Sequence, residues 1–232
     1  MMAMMGPLSP YRSIADLPEI IAVFPLGGVL LLPRAQLPLN VFEPRYLAMV
    51  GHALAGDRLI GMIQPDGEAA IAPEGDPAAV LPLARVGCAG RITAYAETAD
   101  GRIALTLTGL CRFAAGAEQN AATPFRQVAA DYAPFAGDLE AGAGERRVDR
   151  EALLATLRAY LEANDLAADW HRIAAASSEQ LVNSLAMLSP YGPGDKQALL
   201  ESPDLASRAA LLVALTERTL SGGVGMPPSR LQ

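Results

Sequence analysis

The chain has 232 residues, enough for one large domain or two small ones, and 51% of them are hydrophobic. Its net charge is −7: residues 1–135 carry 9 basic and 12 acidic side chains, and residues 136–232 carry 9 and 13. Nucleic-acid binding depends on neutralising phosphates, and neither half of the chain is basic. The composition therefore disfavours a nucleic-acid partner.

Targeting signals and metal motifs are missing from the sequence. The start, MMAMMGPLSP, lacks the basic and apolar regions of a signal peptide. The most apolar run, Ile20 to Leu32, is too short to cross a bilayer as a helix and is interrupted by Pro25. Two cysteines without metal-ligand spacing predict neither a disulfide framework nor a metal site. We expect a cytoplasmic protein with no membrane partner and no cofactor.

The first third of the chain reads as an arm followed by strands. Residues 1–18 are predicted to be a flexible arm. Ile20 to Phe24 reads as a buried strand, and Gln36 to Phe42 as a second strand in which Pro38 indicates a sheet edge or a bulge. Pro44 suits the first turn of a helix, because its missing N–H has no helical partner there.

The helix that begins at Pro44 is predicted to run to about Leu54, with Gly56 as its left-handed stop. Arg58 to Gln64 reads as a third strand. Residues 65–82 are rich in Pro, Gly, Asp and Ala and predict a long loop.

The segments VGCAGRITAY and RIALTLTGLCRF give the clearest strand pattern, with Asp100-Gly101 between them as a hairpin turn. A turn there would place Cys88 and Cys111 close together on the same core face. Pro124 to Tyr132 reads as a further strand, so residues 19–135 are predicted to form a β sub-domain.

A polar, glycine-rich linker at 136–148 separates the strand pattern from a helical pattern, and the helical sub-domain is predicted over 149–222. Its helices are marked by start signals: Asp149, a Ser177 and Gln180 capping box, Asp195, and Ser202-Pro203. Residues 223–232 are predicted to be a tail.

A search for catalytic motifs in the sequence finds none. Lys196, the only lysine, is followed by Gln197 rather than the Ser or Thr of a phosphate-binding loop. Neither His52 nor His171 lies in a ligand-spaced cluster, and no Ser lies in a G-x-S-x-G elbow. A triad assembled from distant residues stays open, because sequence spacing cannot exclude one.

The stretch FPLGGVLLLPRAQLPLNVFEPRYLAMV resembles the substrate-binding, or N-terminal, domain of the Lon protease family, as do DGRIALTLTGLCRF and KQALLE. The matching residues are Phe24, Pro25, Leu26, Val29, Leu30, Pro33, Leu37, Pro38, Leu39, Phe42, Glu43, Arg45, Tyr46, Asp100, Gly101, Gly109, Arg112 and Phe113. The resemblance covers roughly residues 18–220. It implies the α+β class, a PUA-like β pseudobarrel followed by a C-terminal helical bundle. At this length we expect neither the ATPase nor the peptidase of Lon.

Three functions remain open at this point. The first is a non-catalytic protein-binding module that binds exposed apolar segments of unfolded or client proteins and delivers them to a proteolytic machine. Its binding residues would be Leu30, Leu31, Leu32 and Leu37, since alternate leucines of an extended segment face opposite ways and at least one of the first three should reach the surface or a groove. The competing reading places these leucines in the core. The other two functions are a stand-alone hydrolase and a PUA-like RNA-binding protein.

Overall fold

The computed structural model describes residues 11–66 and 81–221, together with the backbone of Ala3–Met4. The predicted tail 223–232, most of the predicted loop 65–82 and the greater part of residues 1–10 in the predicted arm lie outside the described residues. The chain divides into two compact units, Met1–Ala141 and Gly142–Gln232.

Over its described residues, the first unit is a mixed β-sheet with one α-helix. Its strands are β1 Ala3–Met4, β2 Ile20–Pro25, β3 Gln36–Val41, β4 Leu59–Ile63, β5 Val86–Glu97, β6 Ile103–Glu118 and β7 Gln127–Asp131; the helix is α1 Pro44–Ala55. Hydrogen bonding runs β5–β4–β2–β7–β6, and β6 pairs with β5 again. These five strands therefore close on themselves, while β1 extends from β5 and β3 extends from β6. The predicted α+β class with a β pseudobarrel is confirmed.

Alternation along the strands gives the closed sheet two buried faces. One face forms a cluster that includes Val23, Ile63, Ala89 and Phe113. Gly87 makes room for this cluster, because a Cβ atom there would lie 2.5 Å from the Phe113 ring. On the other face α1 packs against β2 and β4, and the rings of Phe24 and Tyr46 lie 4.2 Å apart.

The end of α1 differs from the prediction. Gly56 has φ −117°, so it is not the left-handed stop. Arg58 takes the left-handed conformation instead, with φ 58°. Its N–H donates to the Ala53 carbonyl over 2.8 Å, which closes the turn before β4.

The β5–β6 hairpin places the two cysteines on opposite faces, so the predicted shared face is wrong. Cys88 pairs with Arg112 and Ala89 pairs with Cys111, and directly paired residues share a face. The loop is wider than a two-residue turn: the Thr98 N–H donates to the Arg102 carbonyl, and Glu97 pairs with Ile103. That loop shifts the register by one residue. Both cysteines are nevertheless fully buried, one within each face.

The second unit contains five helices over its described residues: α2 Arg150–Ala163, α3 Trp170–Ala175, α4 Ser178–Leu188, α5 Pro193–Glu201 and α6 Leu205–Ser221. Asp149 caps α2 by accepting from the Ala152 N–H, and Ser177 and Gln180 form the predicted capping box of α4. Asp195 does not cap α5, which begins after Gly192, but pairs with Arg218 over 2.8 Å.

The predicted linker 136–148 contains the end of one 3-10 helix, Ala133–Leu139, and the whole of another, Glu145–Arg147. Across residues 11–66 and 81–221, none of the helices combines the length and apolar character that crossing a membrane would need.

Candidate functional site

Leu30, Leu31 and Leu32 all lie in the core, with exposed fractions of 2%, 1% and 0%. The expectation that one of them reaches the surface is therefore wrong. The segment lies against the β5–β6 hairpin at the paired glycines Gly90 and Gly109. A Cβ atom on Gly90 would lie 2.6 Å from Leu31 Cδ2, and one on Gly109 would collide with the Leu32 carbonyl oxygen. Two missing side chains thus let the leucines pack onto the hairpin.

Leu37 is half-buried on β3, opposite Leu107 of β6. β3 is an end strand of the sheet formed by the described residues. The Gly109 N–H donates to the Ala35 carbonyl, so strand alternation directs the backbone of Pro38 towards the open edge. Proline has no N–H, and this edge therefore lacks a donor at its centre. A client strand would find few partners there.

The segment FEPRY, which carries much of the resemblance, forms local structure at the start of α1. Glu43 and Arg45 form an ion pair of 2.8 Å, and the Arg45 guanidinium lies 4.6 Å from the Tyr46 ring centre. Phe42 is different, because 61% of it is exposed and only the Arg102 guanidinium lies over its ring, at 5.6 Å. Phe42 is the most exposed large apolar side chain described in the β unit.

A large apolar groove lies within the helical unit, between α2, α4 and α6. Its volume is about 520 Å³, within the usual range for a ligand site. Leu188, at the end of α4, is 78% exposed at this groove, and Leu166, just after α2, is 53% exposed. The lining is mostly aliphatic: Leu153, Leu157, Leu161, Leu166, Leu185, Leu188, Leu212 and Val213. We call this feature the leucine groove.

The turn after α2 fixes Leu166 at the leucine groove. The Leu166 N–H donates to the Leu161 carbonyl over 2.9 Å, and the Asp165 N–H donates to the Glu162 carbonyl over 3.3 Å. Asp165 has φ 52°, so the turn is a Schellman motif with aspartate in the left-handed position that glycine usually fills. This motif brings Leu166 back towards Leu161, which also lines the groove.

One part of the leucine groove is polar. Tyr160, Asn164, Tyr191 and Thr216 line it, and the hydroxyl oxygens of Tyr191 and Thr216 are 2.6 Å apart. Burial is the main cause that raises the Tyr191 pKa, so this hydroxyl stays protonated at neutral pH. These groups can hydrogen-bond a ligand backbone, while the leucines receive its apolar side chains.

Arg112 and Cys111, both buried in the β unit, have structural partners. The Arg112 guanidinium donates two hydrogen bonds to the Asp138 carboxylate, over 2.8 and 2.9 Å, and it lies over the Phe135 ring. The Cys111 thiol donates to the Phe135 carbonyl, and burial raises its pKa to about 12. A thiol with that pKa is not a nucleophile at neutral pH. Among residues 11–66 and 81–221, no group of three His, Cys, Asp or Glu side chains could hold a metal.

Similarity to known proteins shows which family this chain belongs to. Residues 20–218 match the family model described as the ATP-dependent protease La (LON) substrate-binding domain. The chain belongs to the Lon substrate-binding domain family. A Lon N-terminal domain protein from Xanthomonas campestris has the same fold, with a TM-score of 0.59, 22% identity, and coverage of 84% of this chain and 97% of that one.

Other relatives agree with this membership. The N-terminal domain of a Mycobacterium avium complex Lon protease superposes with a TM-score of 0.63 at 18% identity, covering 85% of this chain and 98% of that one. Lon protease of Syntrophus aciditrophicus is 25% identical over 89% of this chain, and Lon protease 2 of Myxococcus xanthus is 26% identical over 88%. The chain spans 26% and 24% of those two proteases, about a quarter of their length.

The sequence alone did not single out the leucine groove. Leu185 and Leu188 carry the helical period of α4, and Leu153, Leu157 and Leu161 carry that of α2, a pattern equally typical of core-facing helices. The local signal of an exposed leucine is at Leu188. It is the last residue of α4 and directly precedes Ser189-Pro190, where the helix ends.

Proposed function

We propose that the chain is a non-catalytic recognition module that binds exposed apolar segments of client proteins in the leucine groove. The observation that carries the proposal is the groove itself: about 520 Å³ lined mainly by aliphatic side chains, with Leu188 78% exposed. An exposed apolar patch of this kind is typical of an interaction site. Membership of a substrate-binding domain family supports a protein segment as its occupant.

The energetics fit a site for short unfolded segments. Burying one leucine or phenylalanine is worth about 1.5–3 kcal/mol, so each client side chain that enters the groove strengthens binding by about ten- to a hundredfold. The curated relatives include Lon proteases, of which this chain spans about a quarter. We therefore propose that bound clients pass to a proteolytic machine.

The other two candidate functions receive less support. A hydrolase would need an activated nucleophile, and the Cys111 thiol, with its pKa of about 12, is held protonated. An RNA-binding role conflicts with the net charge of −7.

Leu188→Ser and Leu166→Ser test the proposed site. The probe is a reduced, alkylated and permanently unfolded protein with a fluorescent label, and binding is read by anisotropy. We expect each change to weaken binding by about tenfold, because a client loses one apolar contact. Leu188→Ser should leave the unfolding midpoint nearly unchanged, since the side chain is already exposed.

Phe42→Ser is the matched control, because it also removes an exposed apolar side chain but lies in the β unit. Binding should be unaffected by this change. If Phe42→Ser weakens binding while Leu188→Ser and Leu166→Ser do not, the client site lies in the β unit, and the leucine groove is not the site.

A further inference from the structure

The polar part of the leucine groove has acidic neighbours. Asp165 lies between Asn164 and Leu166, which both line the groove, and its side chain is exposed. Glu217 is exposed and directly follows Thr216, one helical turn after Val213 on the same side of α6. Both are therefore exposed acidic residues that directly neighbour lining residues along the chain, and we call this pair the acidic rim.

Helix ends add partial negative charge to this region. α2 ends at Ala163 and α4 ends at Leu188, and the last turns of both contribute lining residues. The carbonyl groups at a helix C-terminus act as about half a negative charge. The acidic rim and the end of α2 thus point to a site that favours a cation, whereas the end of α4 already holds the Lys196 ammonium.

Arg158, Arg218 and Lys196 each have a partner among the described residues. The Arg158 guanidinium lies over the Trp170 ring at 4.6 Å, and Arg218 pairs with Asp195 over 2.8 Å. Lys196 is buried and donates to the Met187 carbonyl over 3.2 Å. The ion pairs Arg147–Asp204 and Arg218–Asp195 lie in this unit, and neither uses Asp165 or Glu217.

We propose that the leucine groove selects apolar client segments flanked by lysine or arginine, with the cationic side chain placed beside Asp165 and Glu217. The inference rests on the proposed client-binding function and deepens it by naming the substrate class. Apolar side chains would fill the aliphatic part of the groove, and the flanking cation would meet the acidic rim. A segment flanked by Glu or Asp would be repelled.

Three labelled peptides test the charge preference. They share one core of leucines and phenylalanines and differ only in their flanks, which are lysines, serines or glutamates. At low ionic strength we expect affinity in the order lysine, serine, glutamate, with about a two- to fivefold step for each rim carboxylate that meets a flanking charge. Added salt at about 0.5 M should bring the three affinities together, because the rim is exposed to solvent.

Asp165→Asn and Glu217→Gln assign the preference to the rim. Asparagine tolerates the left-handed conformation at position 165, so the turn should be kept. Each change should weaken binding of the lysine-flanked peptide by about two- to fivefold and leave the serine-flanked peptide unchanged. Glu151→Gln is the control: it removes an exposed carboxylate from the first turn of the same helix, about 20 Å along the axis from Asn164.

The outcomes separate the two proposals. Equal binding of the three peptides, lost on Leu188→Ser, would overturn the charge preference and keep the client site. A lysine preference that survives Asp165→Asn with Glu217→Gln, or that Glu151→Gln also removes, would overturn the assignment to this rim. No binding of any peptide would overturn the client site, and the charge preference with it.

Discussion

Leu31→Ala decides whether the leucine run is core or binding surface. Leu31 is 1% exposed and packs against Gly90, where no side chain could fill the space that it leaves. Replacing a fully buried leucine by alanine costs about 2.7–5 kcal/mol, with the larger values where the site cannot collapse. With a urea dependence of about 2 kcal/mol per molar, the unfolding midpoint should fall by about 1.5–2.5 M.

Two measurements report the effect of Leu31→Ala on the β unit and on the helical unit separately. Hydrogen exchange of peptides from β5 and β6 reports the β unit directly, and protection there should fall with stability. Fluorescence of Trp170, the single tryptophan, reports the helical unit. Leu37→Ala is the matched control, because the same atoms are removed from a half-buried position on β3, and it should cost less than Leu31→Ala.

Measuring client binding by the Leu31→Ala variant can refute the assignment of Leu31 to the core. Under conditions where Leu31→Ala stays folded, its binding of an unfolded protein should equal that of the unchanged chain. A variant with undiminished stability and binding weakened by tenfold would show that Leu31 contacts the client. That result would restore the site predicted from the sequence and contradict the packing against Gly90.

Three further predictions concern the buried polar and thiol groups of the β unit. Asp138→Asn should cost about 3–5 kcal/mol in urea unfolding, because it leaves the buried Arg112 guanidinium without its charged partner, and a cost below about 1 kcal/mol would contradict the burial of this pair. Burial raises the Cys111 pKa from 9.0 to about 12, so the folded state favours the neutral thiol: the contribution of this thiol to stability should be constant below about pH 9, and stability should fall as pH rises from 9 towards 12. Iodoacetamide should leave both cysteines unmodified in the native protein at neutral pH and alkylate both in urea; alkylation of native Cys111 would show that its thiol is exposed.

Local pattern predicted most elements of the fold because each depends on neighbouring residues. Alternation identified β5 and β6, and the capping box at Ser177 located the start of α4. The predicted register of the hairpin was wrong, because Asp100-Gly101 indicated a two-residue turn and the chain makes a longer loop from Thr98 to Arg102. A one-residue error in register moves a side chain to the opposite face, which is why the cysteines were misplaced.

The candidate site could not be predicted in the same way, because exposure is a property of tertiary packing. The burial of Leu31 and Leu32 depends on Gly90 and Gly109, which lie about 60 and 80 residues away in the chain and leave space for the segment. The exposure of Leu188 depends on how far α2 and α6 cover the apolar side of α4. A helical period indicates an apolar stripe but not whether a neighbour covers it.

Energetic comparison also favours the helical unit over the leucine run as the place of client binding. Removing Leu31 from its packed site would cost about 2.7–5 kcal/mol, whereas one leucine buried against a client returns about 1.5–3 kcal/mol. Turning a core leucine outwards for a client is therefore unfavourable, even before the ordering of the client is counted. Leu188 carries no such cost, because 78% of it is exposed before any client arrives. A side chain already in water gains its full burial energy on binding, and this is the physical reason to expect recognition at the leucine groove.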